Sequence, residues 1–193
     1  MSYRHLDNID EKIIDATIQI GSLNEANKLS TKEIAKVCEI SEFVIYDHFK
    51  SKDNLISIAD HKIFEDSAAY VEKLILQEHQ PSDVYWNKMV DFYLTNPNYI
   101  GWSINYGHIF PRPEKPADID EFRTDISAES KKCFSYLGLK DDLQYYFFYM
   151  WMFRSFVFFA QFVLNGELDN SPETRAVASH LFIVGMDNFG KTK

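Results

Sequence analysis

Thr31, Lys32, Lys36, Tyr46, His48, Lys50 and Lys52 crowd hydroxyl, imidazole and ammonium groups into one short stretch of this 193-residue chain. Such groups donate hydrogen bonds to phosphate oxygens, and ammonium groups displace counterions from a polyanion. Glu42, Phe43 and Val44 sit among them. A carboxylate accepts from the amino group of cytosine, and an apolar side chain meets the methyl group of thymine. The stretch therefore has the chemistry to hold a nucleic-acid backbone and touch base edges. Taken one at a time, each lysine reads more plainly as part of a solvated helix face. The elements that carry these residues decide between the two.

Those elements are legible from their start and stop signals. Ser30 and Glu33 have the spacing of a capping box, followed by Ile34, Ala35, Val37 and Cys38 at helical spacing. Glu39, Ile40 and Ser41 form a short break, with Ser41 placed to cap a helix over Glu42–Phe49. Val44 or Ile45, with Phe49, forms the inner face of that helix. Ser51 then caps a further helix beginning at Lys52. Two short helices joined by a tight turn make a helix-turn-helix, whose second helix enters the major groove.

The run Leu29-Ser30-Thr31-Lys32-Glu33-Ile34-Ala35, the pair Ile40-Ser41, and Tyr46-x-His48-Phe49-x-Ser51-Lys52-x-x-Leu55 resemble the TetR (tetracycline-repressor) family of regulators. A preceding helix over about Asn8–Asn24 fits the same pattern, so the resemblance covers about residues 8–58. It implies a DNA-binding surface of Thr31, Lys32, Glu42, Phe43, Val44, Tyr46, His48 and Lys52. It also implies a homodimer on a near-palindromic double-stranded operator and a small-molecule effector. Two departures stand out. Glu39 occupies a turn position where the family usually has Gly, because that residue takes positive φ. Glu42-Phe43-Val44 begins the recognition helix with poor hydrogen-bond donors.

The formal net charge is −9, awkward for a partner of DNA. Residues 1–55 hold 7 Lys and Arg against 10 Asp and Glu, a balance of −3, and the remainder carries −6. Binding is thus expected to be modest in affinity and sensitive to salt. Cys38 and Cys133, far apart, suggest a reducing compartment, and no secretory signal is visible, so a cytoplasmic location is expected. Leu143–Leu164 carries a single charge, Arg154, over a length that could span a bilayer. Its flanks, Asp141, Asp142, Glu167 and Asp169, offer no cationic anchor, which favours a helix buried on both sides.

The remainder reads as helices over about Lys52–Gln77, Ser82–Thr95, Pro97–Tyr106, Asp120–Leu137, Asp141–Asn165 and Pro172–Phe189. A proline-rich loop spans Gly107–Asp118. The expectation is an all-α fold of about nine helices, with a helix-turn-helix domain at residues 1–53 and a helical ligand-binding and dimerisation domain at 54–193. By resemblance, Tyr145–Asn165 and Pro172–Phe189 form the dimer interface.

Aromatic residues make up 16% of the chain and concentrate in the second part. Trp86, Tyr93, Trp102, Tyr106, Tyr149 and Trp151 are candidate walls of an apolar pocket, although an aromatic stripe is more often plain core. Arg154, a cation in an apolar helix, must find a partner. Asp91 or Glu129 would serve, as would the anionic head of an amphipathic effector. No glycine-rich phosphate loop, metal-ligand spacing or nucleophile–base pair emerges, so neither an enzyme nor a cofactor is expected. His61 and Glu65 read as a solvated helix face. Two functions remain. One is a ligand-responsive transcriptional regulator, a repressor released by an apolar or amphipathic effector. The other is a helical dimeric small-molecule or protein-interaction module that has lost specific DNA binding.

Overall fold

The computed structural model describes residues 8–24, 28–77, 82–106, 139 and 142–189. Among these the fold is all-α. Its helices are α1 (Asn8–Leu23), α2 (Thr31–Cys38), α3 (Glu42–Phe49), α4 (Lys52–Gln77), α5 (Ser82–Thr95), α6 (Pro97–Tyr106), α7 (Asp142–Leu164) and α8 (Pro172–Phe189). The helix expected over 120–137, the loop over 107–118, Cys133 and Glu129 lie outside the described residues.

Two compact units divide the chain, one of Met1–Asp66 with Pro97–Ile109, the other of Ser67–Asn96 with Phe110–Lys193. The boundary falls within α4, and α6 joins the first unit rather than its sequence neighbour α5.

The first unit is built around Ile13, Ile14 and Ile18 of α1, Ile34 of α2, Ile45 and Phe49 of α3, and Leu55 of α4, all buried. Each aliphatic side chain removed from water in this way contributes roughly 1.5–3 kcal/mol. α6 lies against α1 at close range, because Gly21 and Gly101 have no Cβ to hold the helices apart. A Cβ on Gly101 would stand 2.6 Å from the Ser22 carbonyl oxygen. Asn105 Nδ2 donates to the Gly21 and Ser22 carbonyls, each at 3.0 Å, covering acceptors left open by the end of α1. On its other side α6 is tied to α4. Trp102 Nε1 donates to Asp60 at 2.6 Å, and the Tyr99 hydroxyl donates to Asp66.

In the second unit, Trp86 meets Phe159 edge to face at 4.8 Å, and Trp151 stacks on Phe182 at 5.0 Å. The wholly buried Tyr93 hydroxyl donates to Ser67 Oγ at 3.2 Å. Burial raises its pKa, so it stays protonated. α7 ends in a Schellman motif, with Gly166 at φ 72° and the Glu167 amide reaching back to the Phe162 carbonyl at 2.9 Å. Ser171 caps α8 through the Thr174 amide at 3.2 Å, and Pro172 takes the first helical position. No helix among the described residues is long and apolar enough to cross a membrane.

Candidate nucleic-acid interface

α2 and α3 are joined by a turn that is itself a Schellman motif. The Ile40 amide bonds the Ala35 carbonyl at 3.0 Å and the Glu39 amide bonds the Lys36 carbonyl at 3.3 Å. The motif requires a left-handed residue, and Glu39 takes that role at φ 58°, ψ 41°. A residue with a Cβ is strained there, so Glu39→Gly should raise stability by about 0.5–1 kcal/mol in urea unfolding. A neutral or lower value would remove the strain argument.

α3 ends with a second constrained residue. Lys50 has φ 66° and ψ −38°, and the Ser51 amide bonds the Phe49 carbonyl at 2.8 Å across it. That is a γ-turn with positive φ, a rare and strained form. Ser51 then caps α4 through the Asn54 amide at 3.0 Å. Ser30 and Ser41 differ from expectation. Both have the extended backbone of an N-cap, but neither side chain makes a cap hydrogen bond. Their carbonyls close the first turns instead, onto the Ile34 and Val44 amides at 3.1 Å.

The expected DNA-binding residues divide into an outward set and a bracing set. Lys32, Phe43 and Tyr46 are exposed, as are Lys36 and Lys50 beside them. Phe43 is 76% exposed and Tyr46 45%. The others point back into the protein. Thr31 is buried, and its hydroxyl donates to Glu42 Oε2 at 2.7 Å, with the Tyr46 hydroxyl 3.5 Å away. Val44 is half-buried against the core. His48 Nδ1 lies 2.5 Å from Asp10 Oδ1, bracing α3 on α1. Lys52 Nζ donates to the Leu29 carbonyl at 3.2 Å and fixes the segment leading into α2.

Sequence reasoning missed Asp10 and Lys12. Lys12 Nζ donates to the Cys38 carbonyl at 2.9 Å, a cation at the negative end of α2. Neither carries a local signal, since each acquires its partner only when α1 packs. Cys38 is buried, and burial raises its thiol pKa against the opposing charge of Lys12.

The candidate pocket residues are dispersed. Trp102 and Tyr106 belong to the first unit and stack on each other at 4.2 Å. Among the described residues the buried Tyr106 hydroxyl has no hydrogen-bond partner, and burial raises its pKa. Trp86, Tyr93, Trp151 and Arg154 belong to the second unit, where Trp86 and Tyr93 are core. The side chain of Tyr149 lies outside what is described. Asp91, one acid considered for Arg154, is engaged by Arg175 at 2.7 Å. An open groove of about 660 Å³ lies between α5 and α8, lined by Asn87, Asp91, Arg175, Ser179 and His180 among others, and by none of the candidates. His61 Nε2 lies 3.4 Å from Glu65 Oε1, and no group of three or more potential metal ligands occurs among the described residues.

Residues 13–57 match the family model described as bacterial regulatory proteins, tetR family. No curated protein matches the chain. Among solved structures, the chain resembles a TetR family transcription regulator from Marinobacter aquaeolei VT8. That likeness has a TM-score of 0.69 at 14% identity and covers 89% of this chain and 92% of the other, which speaks for the fold.

Proposed function

Because residues 13–57 carry the N-terminal DNA-binding domain of the TetR family of bacterial regulatory proteins, we propose that this chain is a ligand-responsive transcriptional regulator, a repressor released from its operator by an apolar or amphipathic effector. The observation that carries this reading is the outward face of α2 and α3. Lys32, Lys36, Phe43, Tyr46 and Lys50 are exposed, while Thr31, His48 and Lys52 brace the scaffold behind them. In this reading residues 1–53 serve DNA binding and 54–193 effector binding and dimerisation, with the first turns of α4 and all of α6 packed into the DNA-binding unit.

Two copies of α3 enter successive major grooves of a near-palindromic operator, and the dimer forms through Tyr145–Asn165 and Pro172–Phe189. Support comes from apolar stripes exposed in the single chain: Phe147, Phe158 and Phe162 on α7, and Val177, Leu181 and Val184 on α8. The effector meets the aromatic second unit and favours a state with the two α3 helices wrongly spaced. Coupling of about 1–3 kcal/mol suffices for release.

Selection of randomised duplexes at low salt is expected to enrich a palindrome. Lys32→Ala and Lys36→Ala should each weaken binding to it and lower the salt slope by about one unit. A second reading, an interaction module without DNA binding, is favoured by the acidic balance and by Glu42 and Asp47 on α3. It wins if no palindrome emerges and the double change Lys36→Ala, Tyr46→Ala leaves low-salt binding to duplex DNA unaltered.

A further inference from the structure

We infer that α3 reads thymine, through contact between Phe43 and a thymine C5-methyl group in each half-site; this rests on the DNA-binding reading above. Direct recognition of guanine uses Arg or Lys, and of adenine Asn or Gln, as bidentate donors. α3 is Glu-Phe-Val-Ile-Tyr-Asp-His-Phe and contains none of the four. Two of its polar groups are also held by partners within the protein. The Glu42 carboxylate accepts from Thr31 at 2.7 Å, and the His48 ring is engaged by Asp10 at 2.5 Å.

In a helix-turn-helix, the first residues of the second helix approach the base edges. Of the three at the start of α3, Glu42 is drawn back to α2 and Val44 packs on the core. Phe43 alone is turned outward, 76% exposed. Tyr46 stands one turn further on and is exposed on the same side. The head of α3 is therefore an aromatic surface, with Lys32 and Lys36 exposed on α2 and Lys50 exposed past the end of α3. Cations of that kind draw in a phosphate backbone but do not distinguish bases. What an aromatic ring distinguishes in the major groove is the one apolar feature displayed there, the methyl of thymine.

The test uses the full-length protein and the duplex enriched at low salt, with each thymine replaced in turn by deoxyuridine. That change deletes only the methyl group. Wild type should lose about fourfold in affinity at one thymine per half-site, and about 15-fold when both are replaced. Phe43→Ala, at an exposed position, should bind the thymine duplex more weakly and no longer respond to that uracil. Uniform indifference of wild type to every uracil overturns the inference, as does Phe43→Ala retaining the full uracil effect. Failure to enrich any duplex overturns the DNA-binding reading itself, and this inference with it. Enrichment followed by uracil-indifferent binding overturns the thymine contact alone.

Discussion

Asp60→Asn is expected to stabilise the protein at pH 8 by about 2–4 kcal/mol and to leave it nearly unchanged at pH 4. Asp60 lies on α4 and accepts from Trp102 Nε1 at 2.6 Å. Burial raises its pKa from 3.8 to about 7, and the indole hydrogen bond only partly offsets this. For a carboxyl group the sign is unfavourable at neutral pH. Between 3.8 and 7 the folded state holds a proton that the unfolded chain releases, so stability falls as pH rises through that window. Above about 7 the full penalty is present, because the charged carboxylate is only partly hydrated. Asparagine has the same shape and keeps a carbonyl oxygen for the indole N–H, but never ionises. The readout is the difference between wild type and variant across pH, since the chain's many other carboxylates titrate equally in both. A constant difference from pH 4.5 to 8 would show that Asp60 ionises normally.

The penalty has a structural consequence. Asp60 and Asp66 both hold α6, through Trp102 and Tyr99, and α6 in turn clasps the end of α1. A partly buried carboxylate is retained at a point where α4, α6 and α1 meet in one unit. Removing its charge should therefore stiffen the base on which α2 and α3 stand.

Local chemistry made most helix ends legible. Ser51, Gly166 and the Ser171-Pro172 pair act through groups within a few residues of themselves, and the structure places each in its expected cap. Glu39 was legible by another route, the resemblance, since the family usually has Gly with positive φ at that turn position. The division of labour within the motif was not legible. Lys52, His48 and Glu42 read as a DNA-facing set, yet they are held by the Leu29 carbonyl, Asp10 and Thr31. Those partners lie 11 to 38 residues away and meet them only after packing. Trp102 and Tyr106 illustrate the same limit. Periodicity marks a buried aromatic face, but not which helix covers it, and α1 covers this one.

Gly21→Ala should destabilise the protein by about 1–3 kcal/mol despite alanine's preference for helices. In an exposed helix, Gly→Ala would gain up to about 1 kcal/mol. Here the new Cβ would lie 2.4 Å from Trp102 Cζ3 and 2.6 Å from its Cε3. The indole cannot swing aside cheaply. It stacks on Tyr106 at 4.2 Å, with an interplanar angle of 17°, and its N–H is committed to Asp60. Moving α6 away would instead stretch both Asn105 hydrogen bonds to the end of α1. Every route of relief costs an existing interaction, so the clash outweighs the propensity gain. The contrast is with Gly185→Ala in the second unit, where the Cβ would meet Trp151 Cζ2 at 2.5 Å. Trp151 is only half-buried and has more room to shift, so its loss should be smaller. Urea unfolding of both variants separates the cases, and a neutral or stabilised Gly21→Ala would mean that α6 is not clamped between Asp60 and α1.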